Sequence, residues 1–299
     1  MLDAPLLRSA LFVPAGNARA LARAANLKAD ALLFDLEDSA APAEKDAARE
    51  RLRDYLRATP KGRALRVVRI NPLQSREGTE DLLMARAVRA DAVLLPKVSG
   101  PQDLEEAGEA LVQADAPDTM RLWAMIETPH GVLASAAIAG VPGRWRPGAL
   151  VLGPNDLALS ADLVVSPGRA ELMPFLGPVI VAGAAYGVPV LDGVFNDFGD
   201  EPGFRAECVQ GRAMGLAGKT LIHPTQIPPA NQLFRPSEDE MRRAEAIRAA
   251  FADPVYAGRG VIRLDGRMVE RLHLEQAERL LARAALARQI DQSDEESPS

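Results

Sequence analysis

The chain has 299 residues, 47% apolar and 25% charged, the balance of a globular protein with ample material for a core. Its 35 basic and 41 acidic side chains leave a formal charge of −6 with no long basic run, which argues against nucleic acid or an anionic membrane as partner. The single cysteine, Cys208, precludes an internal disulfide and suits a reducing compartment. It sits in a helical pattern (FRAECVQGRAMG) and reads as a small packing residue rather than a nucleophile. The opening residues lack a charged leader with an apolar stretch and cleavage site, and no run approaches the ~18 apolar residues of a membrane span. A cytoplasmic location is expected.

In chain order, short apolar runs occupy residues 9–14 (SALFVP), 31–38 (ALLFDLED), 66–71 (RVVRIN), 92–98 (AVLLPKV), 122–128 (LWAMIET), 149–156 (ALVLGPND), 188–194 (VPVLDGV) and 220–224 (TLIHP). They are continuous rather than alternating, as strands buried on both faces are. Helical patterns fall between them, at 17–27, 43–57, 79–89, 102–113, 133–139, 169–186 and 201–214. This alternation predicts a parallel sheet with helical crossovers, either closed as a (β/α)₈ barrel or open and doubly wound. The polar residues favour closure. Asp35, Glu37, Arg69, Lys97, Glu127, Asp156, Asp192 and His223 lie at strand ends, which converge on the C-terminal mouth only in a barrel.

Past Pro236 the pattern changes. Residues 237–252 open with a Ser cap and acidic residues and continue as a helix. A Gly-rich stretch (AGRGVIRLDG) follows, then a helical pattern from 268 to about 289. The expected organisation is a barrel over 1–235, a helical extension over 236–290 packing on the barrel or a neighbouring subunit, and a disordered acidic tail over 291–299.

Glu127 and Asp156 are the candidate metal ligands. They end apolar runs one βα unit apart, and adjacent barrel strands lie about 4.8 Å apart. Two carboxylates that leave room for water suit Mg²⁺, with Mn²⁺ as a substitute. Three histidines and one cysteine make zinc a poor match. The structural alternative is that both acids only serve helix entries. Arg69, in RINP, suits a carboxylate or a developing enolate, or an ion pair with Asp35 or Glu37. Those two acids can orient Arg69 or hold metal-bound water. Arg19 and Arg23 lie one helical turn apart, as a phosphate-bearing ligand tail or a solvated face requires.

The segments RSALFVPAGNARALARAANLKADALLFDLEDSA, RINP, LLPKV, MIETPHGV, LGPNDLA, DGVFNDFGDEPGFRAE, MGLAGKTLIHPTQI and GVIRLDGRMVE follow in order over residues 7 to 285. They resemble the HpcH/HpaI aldolase and citrate lyase superfamily, in its citrate lyase β-subunit-like branch with the malyl-CoA and citramalyl-CoA lyases. The resemblance implies a (β/α)₈ barrel, Mg²⁺ on Glu127 and Asp156, and a thioester carried on coenzyme A or an acyl carrier. It further implies a homotrimer or its multiple, substrate contact by Arg69, and a coenzyme A path lined by Phe12, Arg19 and Arg23. The implied reaction is reversible Claisen-type cleavage of a 3-hydroxyacyl thioester to an acyl thioester and a 2-oxo acid. Where the resembling lyases end DGxM(V/I)D in an acid/base aspartate from a neighbouring subunit, this chain has Glu270, one methylene longer. Three other functions stay open at this point: a thioesterase, a citrate lyase β subunit acting on a citryl-carrier thioester, and a non-catalytic metal- or ligand-binding subunit.

Overall fold

The computed structural model describes residues 5–256 and 258–296. Eight strands, β1 (Ser9–Pro14), β2 (Ala31–Asp35), β3 (Leu65–Arg69), β4 (Ala92–Leu95), β5 (Arg121–Ile126), β6 (Ala149–Leu152), β7 (Val190–Asp192) and β8 (Gly218–Leu221), pair in sequence order. Each neighbouring pair is parallel, and β8 returns to β1 with Ala10 opposite Thr220. The sheet is therefore a closed barrel, not an open one.

Alternation along each strand explains what the barrel encloses. Ala10, Ala31, Leu33, Val67, Leu94, Trp123, Met125, Val151 and Leu191 form one buried cluster, and residues two positions apart share a face. The intervening residues Leu11, Leu32, Phe34, Val68, Val93 and Leu150 are also buried, so both faces of the sheet are covered, as a parallel barrel requires.

The crossover helices match the expected ones within a few residues, including Lys45–Ala58, Pro101–Gln113, Met173–Tyr186 and Glu201–Ala213. Three helices escaped the periodicity, Pro129–Leu133, Pro154–Ser160 and Ile227–Leu233. Pro154 stands at the first turn of its helix, where a fixed φ and a missing N–H suit a helix start. Strand β6 accordingly stops at Leu152, and Asp156 belongs to a helix rather than to a strand end.

Asp192 departs from the expected convergence on the mouth, and His223 is engaged in a local cap. Leu191 belongs to the interior cluster, so the next residue, Asp192, faces outward. Its carboxylate accepts from Arg169 Nη1 at 2.6 Å, Arg169 Nη2 at 2.9 Å and Lys219 Nζ at 3.0 Å. Lys219 also donates to Glu207 at 2.5 Å. Burial disfavours the Asp192 charge, but Lys219 and Arg169 overcome it and hold the carboxyl below its ordinary range. Cys208 is buried close by, its thiol pushed up to about 12 chiefly by burial, which agrees with a packing role. His223 accepts from Thr225 N–H at the start of a short 3₁₀ turn and stacks on Phe198 with centroids 4.9 Å apart.

The chain falls into two compact units, residues 7–231 and a second comprising 5–6 with 232–296. The second unit contains helices Glu238–Ala252 and Arg271–Glu296 and an antiparallel hairpin, β9 (Val261–Leu264) and β10 (Arg267–Glu270). The helical pattern expected from 268 is thus a strand up to Glu270. Asp265 and Gly266 both have positive φ (51° and 75°), the geometry that closes a two-residue hairpin. The unit has its own core of Ala244, Ile247, Ile262, Val269 and Ala277. Of the expected disordered tail, 291–296 continue the last helix, with Ser293 Oγ donating to Ile290 O at 2.8 Å; 297–299 lie outside the described residues. Among the described residues no helix is long and apolar enough to cross a membrane.

Replacing Asp192 with Ala leaves the buried Arg169 and Lys219 with only the partly exposed Glu207 as counter-charge, at a cost of about 3 kcal/mol. The urea unfolding midpoint of Asp192→Ala is expected to fall accordingly, and an unchanged midpoint would contradict the ion-pair account.

Candidate active site

The inward faces of β2, β3 and β5 change character toward their C-terminal ends. Two residues beyond the interior side chains Leu33, Val67 and Met125 come Asp35, Arg69 and Glu127, one on each strand's inward face. All three are buried. Above them opens a cavity of about 280 Å³, the size of a small-molecule site, walled by Phe12, Asp35, Asp38, Arg69, Met125, Gly153, Asn155, Asp156 and Asn196 among others.

Arg69 is held on several sides. Its Nε and Nη2 donate to Asp35 Oδ1 and Oδ2 at 2.7 and 2.8 Å, a bidentate fork. Nη1 lies 3.1 Å from Glu37 Oε2, and Nη2 lies 3.1 Å from Asp38 Oδ2. The Phe12 ring faces the guanidinium at 4.9 Å, and Met125 Sδ lies 3.9 Å from Nη1. The expected ion pair of Arg69 with Asp35 and Glu37 therefore exists, and it leaves Arg69 in the cavity wall.

Glu127 is only 1% exposed. Its Oε1 accepts from the Lys97 backbone N–H at 2.8 Å. A Cβ on Gly153 would stand 2.4 Å from Glu127 Cβ and 2.8 Å from its Oε2, so glycine is needed there for the carboxylate to fit. Burial, then the charge of Glu37, pushes the Glu127 carboxyl up to about 7, with Asp156 adding to the shift and the Lys97 N–H opposing it. Glu127 does not cap the next helix: Thr128 does, accepting from Gly131 N–H at 3.0 Å. Asp156 stands in the first turn of Pro154–Ser160, half-buried and lining the cavity.

Glu37 is a third buried acid here, raised above its usual range by burial against the opposing pull of Arg69. Neither of its carboxylate oxygens has a hydrogen-bond partner, although Arg69 and Lys97 Nζ (3.5 Å) stand beside them. Such a group calls for water or a cation. Among the described residues no three His, Cys, Asp or Glu side chains close on a common point, so a cation here would keep several non-protein ligands, the habit of Mg²⁺.

The expected site residues are only partly brought together. Phe12, Asp35, Arg69 and Asp156 line the cavity, with Glu127 and Glu37 buried beside it. Arg19 and Arg23 are exposed on the helix Ala18–Ala24 and are not in the cavity wall. Glu270 ends β10 in the other unit, its N–H donating to His273 Nδ1 at 3.0 Å. The sequence reading overlooked Asn155 and Asn196, whose side chains exchange hydrogen bonds of 2.9 and 3.2 Å across the rim. Both lie inside motifs singled out above (LGPNDLA and DGVFNDFGD), but only the fold pairs them.

A closed parallel barrel with an acidic, arginine-anchored cavity at its C-terminal mouth defines a β/α-barrel enzyme. Comparison with known proteins narrows the class. Residues 8–224 match the family model of HpcH/HpaI aldolase/citrate lyase, and residues 178–287 match that of a C–C bond lyase of the TIM-barrel fold. The chain is 44% identical over 277 residues to a (3S)-malyl-CoA thioesterase of Cereibacter sphaeroides, covering 93% of this chain and 94% of the relative. It is 32% identical over 285 residues to the citrate lyase subunit beta of Escherichia coli K12, covering 94% of each. A crystal structure of CitE from Mycobacterium tuberculosis in complex with magnesium, acetoacetate and coenzyme A superposes with a TM-score of 0.76 at 30% identity, covering 95% of this chain and 100% of that one. This chain belongs to the HpcH/HpaI aldolase/citrate lyase family, in its citrate lyase β-like branch.

The raised Glu127 carboxyl has a measurable consequence. Between the ordinary carboxylate range and about 7 the native state holds a proton that the unfolded chain releases, so stability is lost as pH rises through that window. In metal-free buffer, wild-type stability to urea is expected to fall from roughly pH 5 to 7.5 more steeply than that of Glu127→Gln, which stays neutral. Parallel curves for the two proteins would rule the shift out.

Proposed function

We propose that this chain is a Mg²⁺-dependent lyase that splits a 3-hydroxyacyl-CoA of the malyl or citramalyl type into an acyl-CoA and a 2-oxo acid. The observation that carries the reading is the pairing, at one mouth, of a buried carboxyl short of counter-charge (Glu127) with a guanidinium fixed by Asp35 (Arg69). The relatives support it with a malyl-CoA enzyme and with a neighbour crystallised with magnesium, acetoacetate and coenzyme A.

Glu127 and Asp156 would hold the cation, and Glu37 would accept from water bound to it. A cation held there would supply Lewis acidity that eases loss of the substrate's hydroxyl proton. Arg69 stabilises the negative charge that grows on the thioester oxygen as the carbon–carbon bond breaks. Its fork on Asp35 keeps that charge aimed without reorganisation. Glu270, at the position where the resemblance sets acid/base work from a neighbouring subunit, is proposed to accept the hydroxyl proton and deliver it to the enolate carbon, so that no proton is gained or lost overall. That role makes a homotrimer or its multiple the proposed assembly. Phe12, Arg19 and Arg23 are the proposed contacts along the coenzyme A path.

A second reading, hydrolysis of the thioester, is favoured by the 42–44% identity to proteins named (3S)-malyl-CoA thioesterase. A third, action on a citryl-carrier thioester, has the 32% identity to citrate lyase subunit beta behind it. All three act on a thioester; the products separate lyase from thioesterase, and the carrier separates the third reading from the first.

With (3S)-malyl-CoA, the lyase reading expects glyoxylate and acetyl-CoA in equal amounts, abolished by EDTA and restored by Mg²⁺. Malate with free CoA would instead establish the thioesterase. Turnover of a citryl-carrier thioester alone would establish the third reading. Arg69→Ala is expected to lower kcat by about 10²–10³-fold, as loss of a transition-state donor does. Glu270→Ala is expected to slow turnover while leaving binding of the 2-oxo acid intact, and full activity in that variant would remove Glu270 from the mechanism.

A further inference from the structure

Among the described residues six non-glycine residues have positive φ: Arg89, Lys97, Asp115, Asp162, Arg169 and Asp265. Arg89, Asp115 and Asp162 lie just past helix ends, where the left-handed conformation is an ordinary way to stop a helix. Arg169 precedes a 3₁₀ turn and Asp265 closes the hairpin. Lys97, with φ 52°, stands instead with Pro96 in the turn that ends β4. It follows the end of β4 by two residues, after Pro96, at the barrel end that carries Glu37 and Glu127. A lysine in this region costs about 1 kcal/mol or more relative to glycine.

Both halves of Lys97 are engaged. Its backbone N–H donates to Glu127 Oε1 at 2.8 Å, and the next residue's N–H donates to Met125 O at 3.2 Å, so the turn is pinned on β5. Its side chain, 50% exposed, brings Nζ within 3.5 Å of Glu37 Oε1, an oxygen with no hydrogen-bond partner. Five carboxylates gather at this mouth (Asp35, Glu37, Asp38, Glu127 and Asp156) against two cations, Arg69 and Lys97. A site that takes an anionic acid must offset that excess, and Lys97 is the cation whose head reaches solvent.

We propose that Lys97 is a positioning residue with two separable parts: its left-handed backbone clamps Glu127 in place, and its ammonium balances the acidic mouth so that an anionic ligand can enter. The proposal rests on the reading of Glu127 as a metal ligand. The two parts act on a bound divalent cation with opposite sign. Losing the clamp frees Glu127 to rotate and weakens the cation's hold; losing the ammonium removes a like charge and strengthens it.

Mn²⁺ affinity measured by electron paramagnetic resonance on the full-length protein, followed by glyoxylate titration of the Mn²⁺-loaded protein, tests both parts. Lys97→Gly keeps the backbone conformation and removes the ammonium. It should bind Mn²⁺ about threefold to tenfold more tightly, and glyoxylate more weakly by a similar factor, as expected for one unit charge near a partly screened site. Lys97→Val resists the left-handed conformation and should bind Mn²⁺ about tenfold more weakly. Should Lys97→Val fail to fold, Lys97→Ala carries the same comparison: its Mn²⁺ affinity should fall below that of Lys97→Gly, which shares the lost charge. Valine or alanine binding Mn²⁺ as tightly as glycine would overturn the clamp. A glycine variant with wild-type affinities for both Mn²⁺ and glyoxylate would overturn the charge balance. Failure of the wild type itself to bind Mn²⁺ would refute the metal reading of Glu127 instead.

Discussion

A guanidinium inside a β-barrel must be neutralised where it stands, because the side chains below it are hydrocarbon and offer no solvation. Arg69 meets that requirement with the Asp35 fork, the flanking Glu37 and Asp38 carboxylates and the Phe12 ring. Strands β2 and β3 pair Asp35 directly with Arg69 in register, so the fork is built between neighbours of one sheet. The barrel interior below remains apolar, and charge begins at the last inward positions of β2 and β3 and just past β5. A rigid positive group in a dry wall follows from that partition, with a row of acids around it that a small polar ligand can reach.

The same partition explains why two clusters of buried charge have different fates. Asp192, Arg169 and Lys219 are as fully buried as Arg69 and Asp35, yet they satisfy one another on the outer face of the sheet, under the helix Glu201–Ala213. The mouth cluster is left incomplete. The Glu37 carboxylate has no hydrogen-bond partner, Glu127 is protonated more readily than an ordinary carboxyl, and Asp156 stands open to the cavity. Incomplete neutralisation at a site open to solvent is what distinguishes a ligand-binding cluster from a structural one.

Backbone geometry supplies the remaining precision. Gly153 leaves room for the Glu127 carboxylate, and the turn at Lys97 delivers an N–H to one of its oxygens. Neither contact involves a charged side chain meeting another. A mouth of this kind is shaped as much by where main chain passes as by which acids line it, and conservative substitutions at its glycines would be felt by groups they never replace.

Much of this was legible in the sequence. Continuous apolar runs separated by amphipathic stretches prescribe buried parallel strands and crossover helices, because burial on both faces removes the polar alternation. Glu127, Asp156 and Arg69 could be picked out because each follows such a run, and the ordered motifs named the family. Direction was not legible. A residue at the end of a strand faces the interior or the helices according to the register and to where the strand stops. Asp192 therefore reads as equivalent to Arg69 until the pairing is known. The Pro154 helix, the Asp265–Gly266 hairpin, the Asn155–Asn196 bridge and the left-handed turn at Lys97 are likewise products of segments meeting in space. Local sequence determined which residues carry charge and which segments become strands; tertiary structure alone decided which charges stayed unpaired, because pairing depends on neighbours tens of residues away.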